Sequence, residues 1–251
     1  MNNVDADHSM KVLSSYLFRP TPPEAGGERV LAPLSGDEAL SVLGFLVSSD
    51  PSKYLKPASR AVRDEALALA KDARPMRVSS ELMATLVSQL SSPDVQVSTN
   101  AAEAIVACCR KLGPAEFGEP VLRSIAEAWR GAWNAVGDPT KRSVASTVAV
   151  RCASAIVDVV CIDDAMMRAA SAAGDISLIL TMLTDESDPL LETSTLDLIE
   201  RLATAHPMHH ERARWLVSND IVIPLLQMCG TWIIEKCNCV IRVHAMSCIR
   251  R

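Results

Sequence analysis

The stretch DPLLETSTLDLIERLATAHPMHHERARWLVSNDIVIPLLQMCG, Asp188 to Gly230, carries one helical stripe and the punctuation of two more helices. After the Asp188-Pro189 turn, Leu191, Thr195, Leu198, Ile199, Leu202 and Ala203 fall at i, i+4, i+7, i+8, i+11 and i+12, which is one face of an α-helix. His206 and Pro207 stop it, and a short helix is expected over Arg212 to Val217. Asn219-Asp220 then caps a third helix, whose Pro224 sits in the first turn where no backbone donor is lost. Three helices per unit are expected.

Working outward, comparable turns recur at Asp50-Pro51, Pro93-Asp94 and Asp138-Pro139, so that the four aspartates are 44, 44 and 50 residues apart. Carried back by 94 residues the stripe becomes Val97, Ala101, Ala104, Ile105, Cys108 and Cys109. Carried back by 50 it becomes Lys141, Ala145, Val148, Ala149, Cys152 and Ala153, with Lys141 the one misfit. Three of the four turns follow an apolar run, LSVLGFLVSSDP, LMATLVSQLSSPD and ISLILTMLTDESDP, and a final run, IVIPLLQMCG, closes the last unit. Repeats of about 40–47 residues belong to armadillo and HEAT arrays, in which each unit buries its apolar face on its neighbours. The expected fold is therefore all-α, an armadillo/HEAT-type α-solenoid wound as a right-handed superhelix. Its array spans residues 36–230, behind a flexible lead over 1–35 and ahead of an atypical tail over 231–251.

Composition supports this class. Half the residues are hydrophobic (49%) yet only 4% are aromatic, a filling of small residues that lets helices approach closely. Formal charge of −5 and a pI near 5.6 argue against a nucleic-acid backbone as the main ligand, because neutralising phosphates needs a dense Lys/Arg face, although a local basic groove stays open. The longest apolar segment, Val144 to Val160, is broken by Ser, Thr, Arg151 and Asp158, so no membrane span is expected. MNNVDADHSM lacks the basic start and apolar core of a secretory signal, which places the chain in a reducing compartment. Cys108, Cys109 and Cys152 fit there as small buried hydrophobes on the stripes.

In chain order, Val12-Leu13 and Tyr16-Leu17-Phe18 form one apolar patch before RPTPPEAGGER, a Pro/Gly stretch that cannot hold a helix. Helices are expected over Asp37–Val47, then from about Pro57, with a register that cannot be aligned to the other units. Further helices follow over Ser80–Leu90, Val95–Leu112, Glu119–Val136, Thr140–Asp158, Asp163–Ala172 and Ile176–Leu183. Trp129 and Trp133, one turn apart, are expected to pack against a neighbouring repeat. Asp163-Asp164 and Asp185-Glu186 read as helix-end and turn charges.

The chain contains no glycine-rich phosphate loop, no nucleophile elbow and no catalytic histidine spacing, so no enzyme and no cofactor is expected. His206, His209 and His210 read as a solvated loop. Cys237, Cys239, His244 and Cys248 lack zinc-finger spacing, and no metal is assigned to them. In the tail, Ile233, Cys237, Val240, Ile241, His244, Ala245 and Cys248 repeat the stripe spacing. The segment nevertheless reads as foreign to the array, which would be expected to end on a polar cap.

The runs DPLLETSTLDLIERLA and HHERARWLVSNDIVIPLLQM resemble the family of proteasome non-ATPase regulatory subunit 5, armadillo/HEAT-like chaperones of base assembly. The resemblance is strongest over Asp175 to Met228 and extends diffusely back to about Ser35. It implies a cytoplasmic and nuclear protein that holds the C-terminal domain of a proteasomal ATPase subunit. The chain is expected to be monomeric when free, with neither nucleic acid nor membrane as a partner. In armadillo units the helix after the turn lines the concave face, which places Glu103, Thr147 and Asp197 on one row and Ala107, Arg151 and Arg201 on the next. The partner-binding residues expected are Glu103, Thr147, Arg151, Asp197 and Arg201. The alternative is an armadillo-type adaptor for extended peptides, in nuclear transport or on the cytoskeleton. Such an adaptor would present regularly spaced Trp and Asn at these positions, where this chain has charges, Thr and Ala.

Overall fold

The computed structural model describes residues 3–18, 34–162, 164–173, 182 and 189–204, and every regular element among them is an α-helix. The chain divides into two compact units, Met1–Phe117 and Gly118–Arg251.

The first unit holds α1 (Asn3–Leu17), α2 (Gly36–Ser49), α3 (Pro51–Lys71), α4 (Ser80–Leu90) and α5 (Val95–Leu112). Side-chain caps decide where most of these begin. Ser35 and Glu38 form a reciprocal capping box at the start of α2: the Glu38 N–H donates to Ser35 Oγ (3.2 Å) and the Ser35 N–H to Glu38 Oε2 (2.8 Å). Asp50 serves two helices at once. Its N–H closes α2 on the Leu46 carbonyl, while its carboxylate accepts the Lys53 N–H at the start of α3, with Pro51 in the first turn. Ser79 caps α4 through the Leu82 N–H, and the Asp94 carboxylate accepts the Gln96 and Val97 N–H groups of α5. The α5 helix ends at Gly113, whose φ of 75° favours glycine and whose N–H returns to the Cys109 carbonyl.

Three differences from the boundaries read in the sequence are the largest. First, α3 starts at Pro51, and Pro57 lies inside it. The Asp50 cap sets the start, and burial of Ala58, Val62, Ala66 and Leu69 outweighs the one amide donor that Pro57 lacks. Second, part of the expected flexible lead is helical. Met10, Leu17 and Phe18 of the α1 segment are buried, and Met10 shares a core with Leu43 of α2 and Ala58 of α3. The Phe18 carbonyl accepts the Arg77 N–H (3.1 Å), and a side chain on Gly36 would come within 3.2 Å of the Leu17 carbonyl oxygen. Residues 19–33, the Pro/Gly stretch, lie outside the described residues. Third, α6 begins at Pro114 rather than Glu119 because Pro114 suits the first turn.

Within the second unit, α6 (Pro114–Val136, which begins in the first), α7 (Arg142–Val160), α8 (Asp164–Ala173) and α9 (Pro189–Thr204) are described, and α7 packs on both α8 and α9. Asp138 caps a turn, not a helix: its Oδ1 accepts the Thr140 N–H and hydroxyl, so α7 starts four residues later. Lys141 is left exposed before the helix, which explains the misfit in the stripe. Trp129 is buried, stacks on half-buried Trp133 (5.0 Å between centroids, 11° apart) and donates its Nε1–H to Met182 Sδ. By length and composition α7 could cross a membrane, contrary to the sequence expectation. Ala149, Cys152, Ala153, Ile156 and Val157 are fully buried, as they are on a core helix of a packed unit. The expected helices over 176–183 and 212–217, the cap at Asn219-Asp220, the acidic pair Asp185-Glu186 and the tail 231–251 fall outside the described residues, save Met182.

Two outcomes follow from the caps. Ser79→Ala should lower unfolding free energy by about 1 kcal/mol, measured by urea titration with far-UV circular dichroism. Hydrogen bonds lower the carboxyl pKa of Asp50 (first from the Ser52 hydroxyl), Asp94 (first from the Lys56 ammonium) and Asp138 (first from the Thr140 hydroxyl). A depressed folded-state pKa stabilises the protein above the unfolded value of about 3.9 and loses that stabilisation as pH falls through it. The urea midpoint should therefore hold from neutral pH down to about 5 and decline below about 4.

Candidate functional site

Helices α3, α5, α7 and α9 each follow one of the aspartate turns, and within the units α3 lies against α5 and α7 against α9. The stripe read from the sequence is buried. Val97, Ala101, Ala104, Ile105, Cys108 and Cys109 are all at most 1% exposed, and Leu191, Thr195, Leu198, Ile199 and Leu202 at most 2%. Alanine, cysteine and valine at these positions let the backbones approach without overpacking.

Polar side chains beside that stripe cross from one helix to the next. In the first unit Asn100 is fully buried on α5 and all its partners are accounted for. Its Nδ2 donates to Ser59 Oγ of α3 (3.0 Å), and its Oδ1 accepts from Arg63 Nη1 of α3 (2.8 Å) and from Gln96 Nε2 (3.1 Å). Arg63 also pairs with Asp64 (2.7 Å) and approaches Glu103 (3.7 Å), while Lys56 of α3 pairs with the capping Asp94 of α5 (2.8 Å). In the second unit Arg201 of α9 donates to Ser154 Oγ (3.0 Å) and to Asp158, both on α7. Burial lowers the pKa of that guanidinium, so the Asp158 carboxylate also offsets a desolvation cost.

The expected groove residues therefore separate. Glu103 and Asp197 are exposed, as a binding row requires. Thr147 is half-buried and its hydroxyl donates back to the Ser143 carbonyl (2.8 Å). Arg151 is also half-buried. Arg201 is engaged by α7, and Ala107 is buried at 2%, so the second row does not form a free surface as expected. Ala107 is buried because α5 is covered on nearly every side, as its run of buried residues from Ala104 to Cys109 shows. Arg63 was not legible as a member of this row, since Pro57 disguises the start of α3. Counted from the capping Asp50, however, it lies 13 residues on, as Arg151 and Arg201 do from Asp138 and Asp188. An Asn in the middle of an Ala/Val/Ile stripe was the one signal that could have found the Asn100 network.

A groove of about 310 Å3 lies between α7 and α9. Val150 and Leu198 give it apolar walls, Ser154, Thr193 and Ser194 contribute hydroxyls, and Asp197 and Arg201 supply charge. Among the described residues no group of three His, Cys, Asp or Glu is placed to hold a metal. Burial raises the Cys108 thiol pKa strongly and pushes those of Cys109 and Cys152 up to about 12, so all three stay protonated at neutral pH. His206, His209, His210, Cys237, Cys239, His244 and Cys248 lie outside the described residues. Comparisons with family models, curated proteins and solved structures return no match.

Asn100→Leu removes one acceptor used by both Arg63 and Gln96 and the donor to Ser59, leaving Arg63 and Ser59 without their partner at the seam. It should destabilise the protein by about 1–3 kcal/mol in urea titration, far more than an exposed substitution such as Glu127→Gln on α6.

Proposed function

We propose that this chain is a non-catalytic protein-binding scaffold built as an armadillo/HEAT-type α-solenoid. We infer further that it works as its sequence resemblance implies, by holding the C-terminal domain of a proteasomal ATPase subunit during assembly of the regulatory-particle base. The observation that carries the reading is the placement of the helices that follow the aspartate turns. They lie side by side within each unit, bury their apolar stripes, and leave the Glu103 and Asp197 carboxylates, nine residues after Asp94 and Asp188, in solvent. Within each unit, paired helices that bury small residues and expose a carboxylate make a stiff surface for a folded partner, on which charge sets specificity and association rate. Thr147 and Arg151 of α7 are assigned to partner binding in the same reading. Arg201 fixes α9 on α7.

The competing adaptor reading gains little support. Among the described residues the four helices α3, α5, α7 and α9 carry no Trp, and their one Asn, Asn100, is buried in the seam and unable to meet a peptide. Cytoplasmic and nuclear residence accompanies the assembly role.

Purified C-terminal domains of the proteasomal ATPase subunits, passed over the immobilised chain, test the proposal. One of them should be retained. Glu103→Lys with Asp197→Lys should weaken that capture roughly tenfold with the thermal melt nearly unchanged, and Glu127→Lys on α6 should leave it intact. Retention of basic targeting peptides with no ATPase domain bound would replace the chaperone reading with the adaptor.

A further inference from the structure

The groove between α7 and α9 has a chemistry more specific than a general charged face. Its walls at Val150 and Leu198 are apolar, and its rim carries the Asp197 carboxylate, which is exposed and forms no hydrogen bond or ion pair with the described residues. The cation that could have neutralised that rim, Arg201, is turned instead to Asp158 and Ser154 on α7. The cavity thus combines a greasy slot, a few hydroxyls and one unsatisfied negative charge at its mouth.

We propose that this groove is the subsite for a basic side chain, Arg or Lys, projecting from the protein partner. The inference rests on the scaffold reading above and names the partner chemistry that this part of the surface recognises. Arg and Lys are the side chains with an apolar stem and a cationic head. The stem would lie along Val150 and Leu198, which favour burial of its methylenes, and the head would reach the Asp197 carboxylate while donating to the hydroxyls of Ser154 and Ser194. Acidic side chains fit poorly. Among the described residues lining the groove the one guanidinium, Arg201, is already paired with Asp158, so an entering Glu or phosphate would meet the Asp197 carboxylate. Large aromatic residues would cover the walls but leave Asp197 unpaired. A volume of about 310 Å3 is ample for one long side chain.

The probe is N-acetyl-arginine methylamide, titrated at low ionic strength against the full chain and followed in two-dimensional amide NMR spectra. Saturating shifts in the millimolar range are expected at Ser154, Ser194 and Leu198. They should weaken roughly five- to tenfold in Asp197→Asn, recover in Asp197→Glu, and diminish as salt is raised. N-acetyl-glutamate methylamide should move none of these signals. If the arginine probe leaves the groove signals unmoved, or the glutamate probe moves them equally, the assignment is overturned. Capture of an ATPase domain alongside a silent groove would refute the subsite and leave the scaffold intact. A responsive groove in a chain that retains no protein would sink the scaffold and, with it, the claim that the basic residue belongs to a partner.

Discussion

An apolar helical face cannot remain in water, and among the described helices those with the widest buried faces are α5 and α7. Each buries side chains around most of its circumference, including runs of consecutive residues such as Ala104 to Cys109 and Ala155 to Val157. A helix of that kind is stable only with neighbours on several sides. Within the first unit α3 and α4 cover α5, and within the second α8 and α9 cover α7. The placement of the remaining elements follows from meeting that requirement. It also explains α1, whose Met10 supplies apolar contact to α2 and α3 and gives α3 cover on a side that α5 does not reach.

Helices that meet through Ala, Cys and Val come close but gain little directional specificity from such contacts, since small apolar side chains slide past one another at low cost. Buried polar networks supply what the stripe lacks. Asn100 can satisfy Ser59, Arg63 and Gln96 together in only one relative placement of α3 and α5. Arg201 does the same for α9 on α7 through Ser154 and Asp158. A register slip in either pair would leave a buried donor or a desolvated guanidinium without its partner, which costs more than the lost apolar contact. Arginine suits both positions because its rigid fork reaches several acceptors at once.

The same economy separates structural charge from charge left for a partner. Lys56, Arg63 and Arg201 are engaged across the helix seams, whereas Asp197 faces solvent without a counter-ion among the described residues. At the α7–α9 groove Arg201 is turned onto α7 and the Asp197 carboxylate stays at the rim. This arrangement is the physical basis for reading the surface as one that accepts a basic protein partner.

The sequence by itself determined the helical class, the stripe and the turn aspartates. Apolar periodicity and capping are local: Ser80–Leu90 and Val95–Leu112 were legible to the residue because Ser79, Asp94 and Gly113 bound them chemically. Glu103 and Asp197 were legible as exposed for the same reason, being on the polar side of that periodicity. Only the tertiary structure decided which charges are free. Whether Arg201 meets solvent depends on Ser154 and Asp158, more than 40 residues away, and Ala107 is buried by neighbours rather than by its own helix. The docking of α1 and the continuity of α3 through Pro57 are non-local in the same sense. A local proline rule predicts a break there, and burial of Ala58, Val62 and Ala66 against other helices overrides it.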